Sequence, residues 1–100
     1  MAKKGYWIAH VNITDPERYK DYVAANAVAF KKFNARFVVR AGESIAGTGT
    51  LLGGRRHVVI EFDSFETAKA CYSSPEYQAA ARIRDEASAA EVIIIEGYEG

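Results

Sequence analysis

The chain has 100 residues, and its 13 Lys and Arg balance its 13 Asp and Glu, so the formal net charge is zero. A balanced charge excludes the long-range field that draws basic proteins to nucleic acid or anionic membranes, so neither is an expected partner. The apolar fraction of 49% excludes intrinsic disorder, and the length predicts one domain over residues 1–100.

The first predicted elements are a strand and a long helix. The segment "GYWIAHVNI" is rich in aromatic and β-branched residues, which predicts a strand. Asp15 and Pro16 then form a helix start, because Asp can cap the free N–H groups and Pro suits the first helical position. Aromatic residues at helical spacing predict an amphipathic helix of roughly 16–18 residues, and Asn34 is its expected end.

The rest of the chain reads as two further strands, a broken helix and a last strand. The strands are "ARFVVRAG" and "RRHVVIEF", and five of the eight glycines lie between them, from Gly42 to Gly54, which predicts a mobile hairpin or loop. A helix opens at Asp63 or Ser64, breaks before Pro75 and restarts there. The last strand is "EVIIIEGYE".

This order of elements predicts an α+β, ferredoxin-like βαββαβ fold, with a four-stranded antiparallel sheet and helices on one face. The other face of such a sheet should be polar in a monomer. However, the first strand is apolar on both sides, with Trp7 and Ala9 facing one way and Tyr6 and Ile8 the other. Both faces need burial, so the sequence predicts a homodimer formed by sheet-to-sheet packing.

No stretch reaches the roughly 18 apolar residues of a membrane span, so no membrane partner is expected. Cys71 is the only cysteine, which excludes an internal disulfide. The predicted compartment is therefore the reducing cytoplasm.

The chain resembles an uncharacterised family, named domain of unknown function 1330, most specifically in "RFVVR", "VVIEF" and "YSSPEYQ". That family belongs to the dimeric α/β barrel superfamily, in which two ferredoxin-like subunits pack sheet to sheet. Relatives in the superfamily include cofactor-independent monooxygenases, muconolactone isomerases and haem-degrading enzymes. The resemblance implies a fold and a dimer, but no reaction, because function depends on the site residues.

Glu61 is a candidate catalytic residue, since it is a carboxylate within an otherwise apolar strand. Side chains alternate along a strand, so Glu61 faces away from Ile60. The third strand of this fold lies between the first and the second, which allows His10 and Arg40 to be cross-strand neighbours of Glu61. A partly desolvated carboxylate beside an imidazole can transfer protons near neutral pH. We therefore predict His10, Arg40 and Glu61 as catalytic residues.

The same residues have a structural interpretation. Arg40 and Glu61 would then form a cross-strand ion pair that fixes the register at the dimer interface. The sequence leaves both interpretations open.

A second candidate site is aromatic. Six tyrosines leave several hydroxyl groups in need of partners, which favours a polar-edged pocket between helices and sheet. An aromatic stripe at helical spacing is also ordinary core material. The predicted ligand-binding residues are Trp7, Tyr19, Tyr22, Tyr72 and Tyr77.

No metal or cofactor is predicted. His10 and His57 could join Glu61, but nothing in the sequence fixes a ligand spacing. Neither histidine lies on a predicted helix, so no haem ligand carries over from the superfamily.

Two functions remain in competition. The first is a protein that binds a small organic molecule in one cavity per subunit, extending to a cofactor-independent enzyme of monooxygenase or isomerase type. The second is a non-catalytic homodimer that serves assembly or partner binding. The first requires an enclosed pocket of at least ~300 Å³; the second requires close packing there and a satisfied ion pair.

Overall fold

The structure of the protein is a computed structural model that describes residues 3–99. Three helices and four strands follow the predicted order, except that the last strand begins three residues earlier than its sequence pattern indicated. The elements are β1 (Gly5–Ile13), α1 (Pro16–Lys32), β2 (Arg36–Arg40), β3 (Arg56–Phe62), α2 (Phe65–Ser73), α3 (Pro75–Ala87) and β4 (Ser88–Glu96).

The helices begin at the predicted caps. The Asp15 carboxylate accepts a hydrogen bond of 3.1 Å from the backbone N–H of Arg18. Ser64 and Ser74 cap α2 and α3 in the same manner, and Pro75 occupies the first turn of α3. Each cap satisfies an N–H group that would otherwise have no partner at the start of a helix. The local sequence therefore determines where each helix starts.

The four strands form one antiparallel sheet in the order β2-β3-β1-β4. This order is that of a ferredoxin-like fold, so the predicted α+β class is confirmed. The helices cover one face of the sheet, which we call the helix face. No helix within residues 3–99 has the length and apolarity to cross a bilayer.

Trp7 is the centre of the core on the helix face. Its side chain is 2% exposed, and its ring centre lies 4.7 Å from that of Tyr77 and 5.1 Å from that of Phe62. The indole N–H donates a hydrogen bond of 2.9 Å to the carbonyl of Ala68 at α2. A large aromatic ring with its polar atom satisfied joins the sheet to the helices at low cost.

The opposite face of the sheet, which we call the open face, carries an aliphatic row across all four strands. Val39 lies opposite Val59, Val59 opposite Ile8, and Ile8 opposite Ile93. Ile93 is 53% exposed and Val39 is 40% exposed. A continuous row of β-branched side chains left open to water is typical of an interaction surface.

Strand β2 contains a bulge. Phe37 lies opposite Ile60 and Val39 opposite Val59, which leaves Val38 as an extra residue between them. An extra residue in one strand reverses the side to which the following side chains point. This one irregularity decides where Arg40 lies.

Candidate functional site

Glu61 forms an ion pair on the open face. Its Oε1 lies 3.0 Å from Nε of Arg36, and its Oε2 accepts a hydrogen bond of 3.1 Å from the Tyr6 hydroxyl. The Arg36 guanidinium, and then the Tyr6 hydroxyl, hold the pKa of the Glu61 carboxyl below its ordinary value. Glu61 is therefore ionised at neutral pH and has protein partners for both oxygens, as the structural interpretation requires.

The prediction that Arg40 is the partner of Glu61 is wrong. In the register of the sheet Arg36 lies opposite Glu61, whereas Arg40 lies opposite Val58. The bulge at Val38 turns Arg40 to the helix face, where its guanidinium lies 4.3 Å from the centre of the Phe37 ring. Regular alternation along β2 would have left Arg36 and Arg40 on one face.

His10 also lies far from Glu61 in the sheet. Four residues along β1 separate His10 from Tyr6, the residue opposite Glu61, which is about 13 Å at the rise of a strand. His10 instead lies opposite His57, and their Nδ1 atoms are 2.9 Å apart. The structure thus does not bring the three predicted catalytic residues together. Among the residues described, no cluster of three or more His, Cys, Asp or Glu side chains could hold a metal ion.

A cavity lies on the helix face, between the sheet and helices α1 and α3. Four of the five predicted ligand-binding residues line it; the fifth, Tyr72, packs against Trp7 at a ring distance of 5.4 Å and lies outside the lining. The cavity measures about 40 Å³, which is room for one or two water molecules. It is smaller than the expected ~300 Å³ of an organic-ligand pocket. The four lining residues are Trp7, Tyr19, Tyr22 and Tyr77.

Three arginines line this cavity: Arg40, Arg56 and Arg84. The lining contains no Asp or Glu. The sequence reasoning missed Arg56 and Arg84, although both had a signal. Arg56 alternates with the apolar helix-face residues of β3, and Arg84 follows Tyr77 by seven residues, two turns along the buried side of α3.

A chain of hydrogen bonds reaches the cavity from α3. Nη1 of Arg84 donates a bond of 3.0 Å to the Tyr77 hydroxyl, whose oxygen lies 2.8 Å from that of Tyr22. Burial raises the pKa of Tyr22 far above its ordinary value, and the Tyr77 hydroxyl raises it further. Burial also raises the pKa of Tyr77, although Tyr22 and Arg84 oppose that shift. Both hydroxyls therefore keep their protons at neutral pH.

Arg84 is charged in spite of its burial. Its side chain is 10% exposed. Burial alone would lower the pKa of the guanidinium, but the hydroxyls of Tyr77 and Tyr72 outweigh burial, and the pKa is raised. Arg84 also lies 3.1 Å from the Asp85 carboxylate, which is mostly exposed and outside the cavity. The cavity wall thus contains a permanent positive charge.

A second recess, of about 550 Å³, is formed by loop residues 44–54 and His57. The loop side chains are exposed, with Ile45 at 93% and Leu51 at 87%. His57 is the only ionisable residue of its lining. Because few polar groups converge there, the cavity on the helix face is the stronger candidate site.

Comparison with solved structures finds the same fold at low sequence identity. A protein of unknown function from Rhodopseudomonas palustris has a TM-score of 0.76 at 15% identity, over 100% of this chain and 86% of that one. SnoaB, a cofactor-independent oxygenase from Streptomyces nogalater, has a TM-score of 0.66 at 13% identity, over 99% and 97%. A dimeric protein of unknown function with a ferredoxin-like fold from Bacteroides fragilis has 0.52 at 17%, over 94% and 96%. Such identities show a shared fold alone.

Comparison with curated proteins finds no match. A family match, in contrast, extends over residues 4–98, nearly the whole chain, and confirms the resemblance found in the sequence. The chain therefore belongs to the family described as "Domain of unknown function (DUF1330)".

Proposed function

We propose that this protein binds a small organic molecule in the cavity on the helix face. The observation that carries the proposal is the chain from Arg84 through Tyr77 to Tyr22, which brings hydrogen-bonding groups to the edge of an apolar space. Organic ligands are usually bound by mainly apolar walls and a few converging polar groups. Trp7 and Tyr19 then supply the aromatic wall.

Entry of a ligand requires the cavity to widen from about 40 Å³. Its rim at β2 consists of Phe37, which is 40% exposed, and the exposed Arg40. Strand β2 is at the edge of the sheet and pairs with β3 alone. Side chains on an edge strand can change rotamer without disturbing a second neighbour, so the rim is where we expect the cavity to open.

The proposed reaction class is that of a cofactor-independent enzyme, acting as an oxygenase or an isomerase. Its support is the shared fold with SnoaB, together with a cavity placed between helices and sheet. Among the three residues predicted as catalytic, Arg40 alone lines this cavity. We assign Arg40 a role at the rim; His10 and Glu61 lie on the open face and are assigned no contact with the ligand.

The proposed assembly is a homodimer that buries the open face. The aliphatic row of Ile8, Val39, Val59 and Ile93 supports it, because this row is apolar and uncovered in one subunit. The related fold from Bacteroides fragilis is described as dimeric. One cavity per subunit then lies on the outer side of the paired sheets.

A second function has support of its own. The cavity is small, and both oxygens of Glu61 have partners, as expected for a non-catalytic dimer that serves assembly or partner binding. In that protein the aromatic residues would be core and nothing more.

The single tryptophan gives a direct test. Trp7 lines the cavity, so the one indole N–H resonance and the fluorescence should change when small molecules from a metabolite extract bind. Ala9, which lines the cavity, is replaced to fill it (Ala9→Leu); the exposed Ala24 of α1 provides the matched control (Ala24→Leu). We expect Ala9→Leu to abolish the change and Ala24→Leu to keep it. If no extract perturbs Trp7 in the folded wild type, the non-catalytic dimer is the better account.

A further inference from the structure

We infer that the molecule bound in the cavity carries a carboxylate, and that Arg56 receives it. The inference rests on the proposed function, that the cavity binds a small organic molecule, and adds the chemical class of that molecule. It is drawn from charge, from one buried nitrogen and from the direction of hydrogen bonds.

The cavity is lined by positive charges that the protein does not pair. Among residues 3–99, Arg40 and Arg56 form no ion pair with any Asp or Glu. Arg40 lies opposite Val58, two residues from Arg56 on the same face of β3. Diagonal neighbours of this kind have Cα atoms about 7–8 Å apart, so the two positive charges repel each other. An anion between them would remove this repulsion.

Arg56 contains a buried donor with no acceptor. Nε of Arg56 is buried and has no hydrogen-bond partner among the residues described. A buried donor without a partner costs free energy, and more so when it is charged. The Arg56 guanidinium lies 5.9 Å from the centre of the Tyr19 ring and hydrogen-bonds the Tyr19 hydroxyl, but Nε itself has no acceptor. An acceptor oxygen placed in the cavity would satisfy it.

The hydrogen bonds that start at Arg84 have a defined direction. Arginine can only donate, so the Tyr77 oxygen accepts from Arg84. Within residues 3–99 the only acceptor that we find for the Tyr77 proton is the Tyr22 oxygen. The Tyr22 hydroxyl also hydrogen-bonds the Asn26 side chain, which lines the cavity as well. The chain of bonds therefore starts at Arg84 and is satisfied within the protein, and Arg56 is the donor that still requires an acceptor.

The chemistry that fits these donors is a carboxylate. Arginine binds carboxylates through two parallel N–H···O bonds, and Nε is one of the two donors in the side-on arrangement. A carboxylate also neutralises the positive charge of the three arginines in the lining, which a neutral amide does not. The flat carboxylate also needs less widening of a cavity of about 40 Å³ than a tetrahedral phosphate does.

The test compares benzoate with benzamide, two probes of the same shape that differ in charge. Binding is followed by the Trp7 fluorescence and its indole resonance. We expect benzoate to bind at least about tenfold more tightly, since a hydrogen bond to a charged group contributes more than a neutral one. Equal or tighter binding of benzamide would overturn the inference and leave the proposed function intact. If neither probe perturbs Trp7, the carboxylate inference is rejected, and the metabolite extract decides separately whether the cavity binds anything.

Arg56→Met tests the role of the residue with a side chain of similar length. Arg82 of α3 is exposed and outside the cavity lining, so Arg82→Met is the matched control. We expect Arg56→Met to weaken benzoate binding at least about tenfold while the melting temperature is unchanged or higher, because a buried donor without a partner is removed. Arg82→Met should bind benzoate as the wild type does. A large fall in melting temperature for Arg56→Met, or unchanged benzoate affinity, would show that Arg56 does not receive the carboxylate.

Discussion

The two faces of the sheet contain arginines in opposite situations. On the open face, Arg36 lies 3.0 Å from Glu61 and 3.1 Å from Asp63, so its charge is neutralised by two carboxylates. On the helix face, Arg40 and Arg56 have no carboxylate in the cavity lining. Charges that the protein itself pairs are explained by structure, whereas unpaired charges beside a cavity mark a candidate ligand site.

Because of this difference, the candidate site is the cavity on the helix face and not the surroundings of Glu61 on the open face. Glu61 is the more conspicuous residue in the sequence, because a carboxylate interrupts an apolar strand. Its pKa is lowered by the Arg36 guanidinium first, and a carboxylate that is stabilised as the anion is a weak base. The positive cavity is less conspicuous, since its arginines come from β2, β3 and α3 and meet only in the fold.

The largest expected effect compares the same substitution on the two faces. Ile60 is 4% exposed in the core, whereas Ile93 is 53% exposed on the open face. We expect Ile60→Ala to lower the free energy of unfolding by about 2–5 kcal/mol, because a cavity replaces buried methyl groups. Ile93→Ala should cost clearly less at low protein concentration. Urea unfolding measures both, and equal losses for the two variants would contradict the distinction between a packed and an open face.

The next effect concerns what covers the open face. Ile93→Asp places a charge in the aliphatic row, and burying it in a dimer costs several kcal/mol. We expect the wild type to sediment as a dimer and this variant to sediment as a monomer at the same concentration. Val28 of α1 is 61% exposed and far from the row in the fold, so Val28→Asp should leave the dimer unchanged. A wild type that sediments as a well-folded monomer at micromolar concentration would refute the dimer.

A smaller effect separates the two interpretations of Glu61. We expect Glu61→Gln to lower the stability by about 1 kcal/mol or less at pH 7, since the ion pair is partly exposed to water, and to leave benzoate binding unchanged. The folded pKa lies below the ordinary 4.5, so the pair stabilises the fold above that pH. Its contribution disappears as the pH falls through the lower, folded value. Melting curves of wild type and variant should therefore converge once the pH lies below the lowered, folded pKa of Glu61. Loss of benzoate binding in Glu61→Gln would instead return Glu61 to the site.

The smallest expected effect is the slow labelling of Cys71 by a thiol reagent. This thiol is buried in the core, and burial raises its pKa to about 12. At pH 8 almost no thiolate is present, so a thiol reagent should label the folded protein only as fast as it unfolds. Addition of urea should make the labelling immediate. Fast labelling without urea would show that the core beneath α2 opens to solvent.

Most of the fold could be predicted because its signals are local. Asp15, Ser64 and Ser74 start the helices by accepting bonds from N–H groups a few residues ahead. Asn34 ends α1 with a φ of 57°, in the left-handed region that Asn tolerates. The order of elements then leaves few topologies, and the ferredoxin-like one has the observed strand order.

The site could not be predicted in the same way, because its residues depend on a one-residue shift in the register of β2. In "RFVVR" nothing distinguishes a regular strand from one with Val38 as an extra residue, yet the bulge moves Arg40 from the side of Glu61 to the cavity. Arg56 and Arg84 could have been predicted from the sequence, since each lies on the apolar side of its element. An arginine on a core-facing position is a signal of the kind that marks a site.

The most direct test of the account is a map of amide and indole resonances during addition of benzoate. If the cavity on the helix face is the ligand site, the shifts will centre on Trp7, Tyr22 and Arg56, and those of His57 and Glu61 on the open face will stay in place. Shifts centred on His57 and Glu61, with Trp7 unchanged, would contradict it.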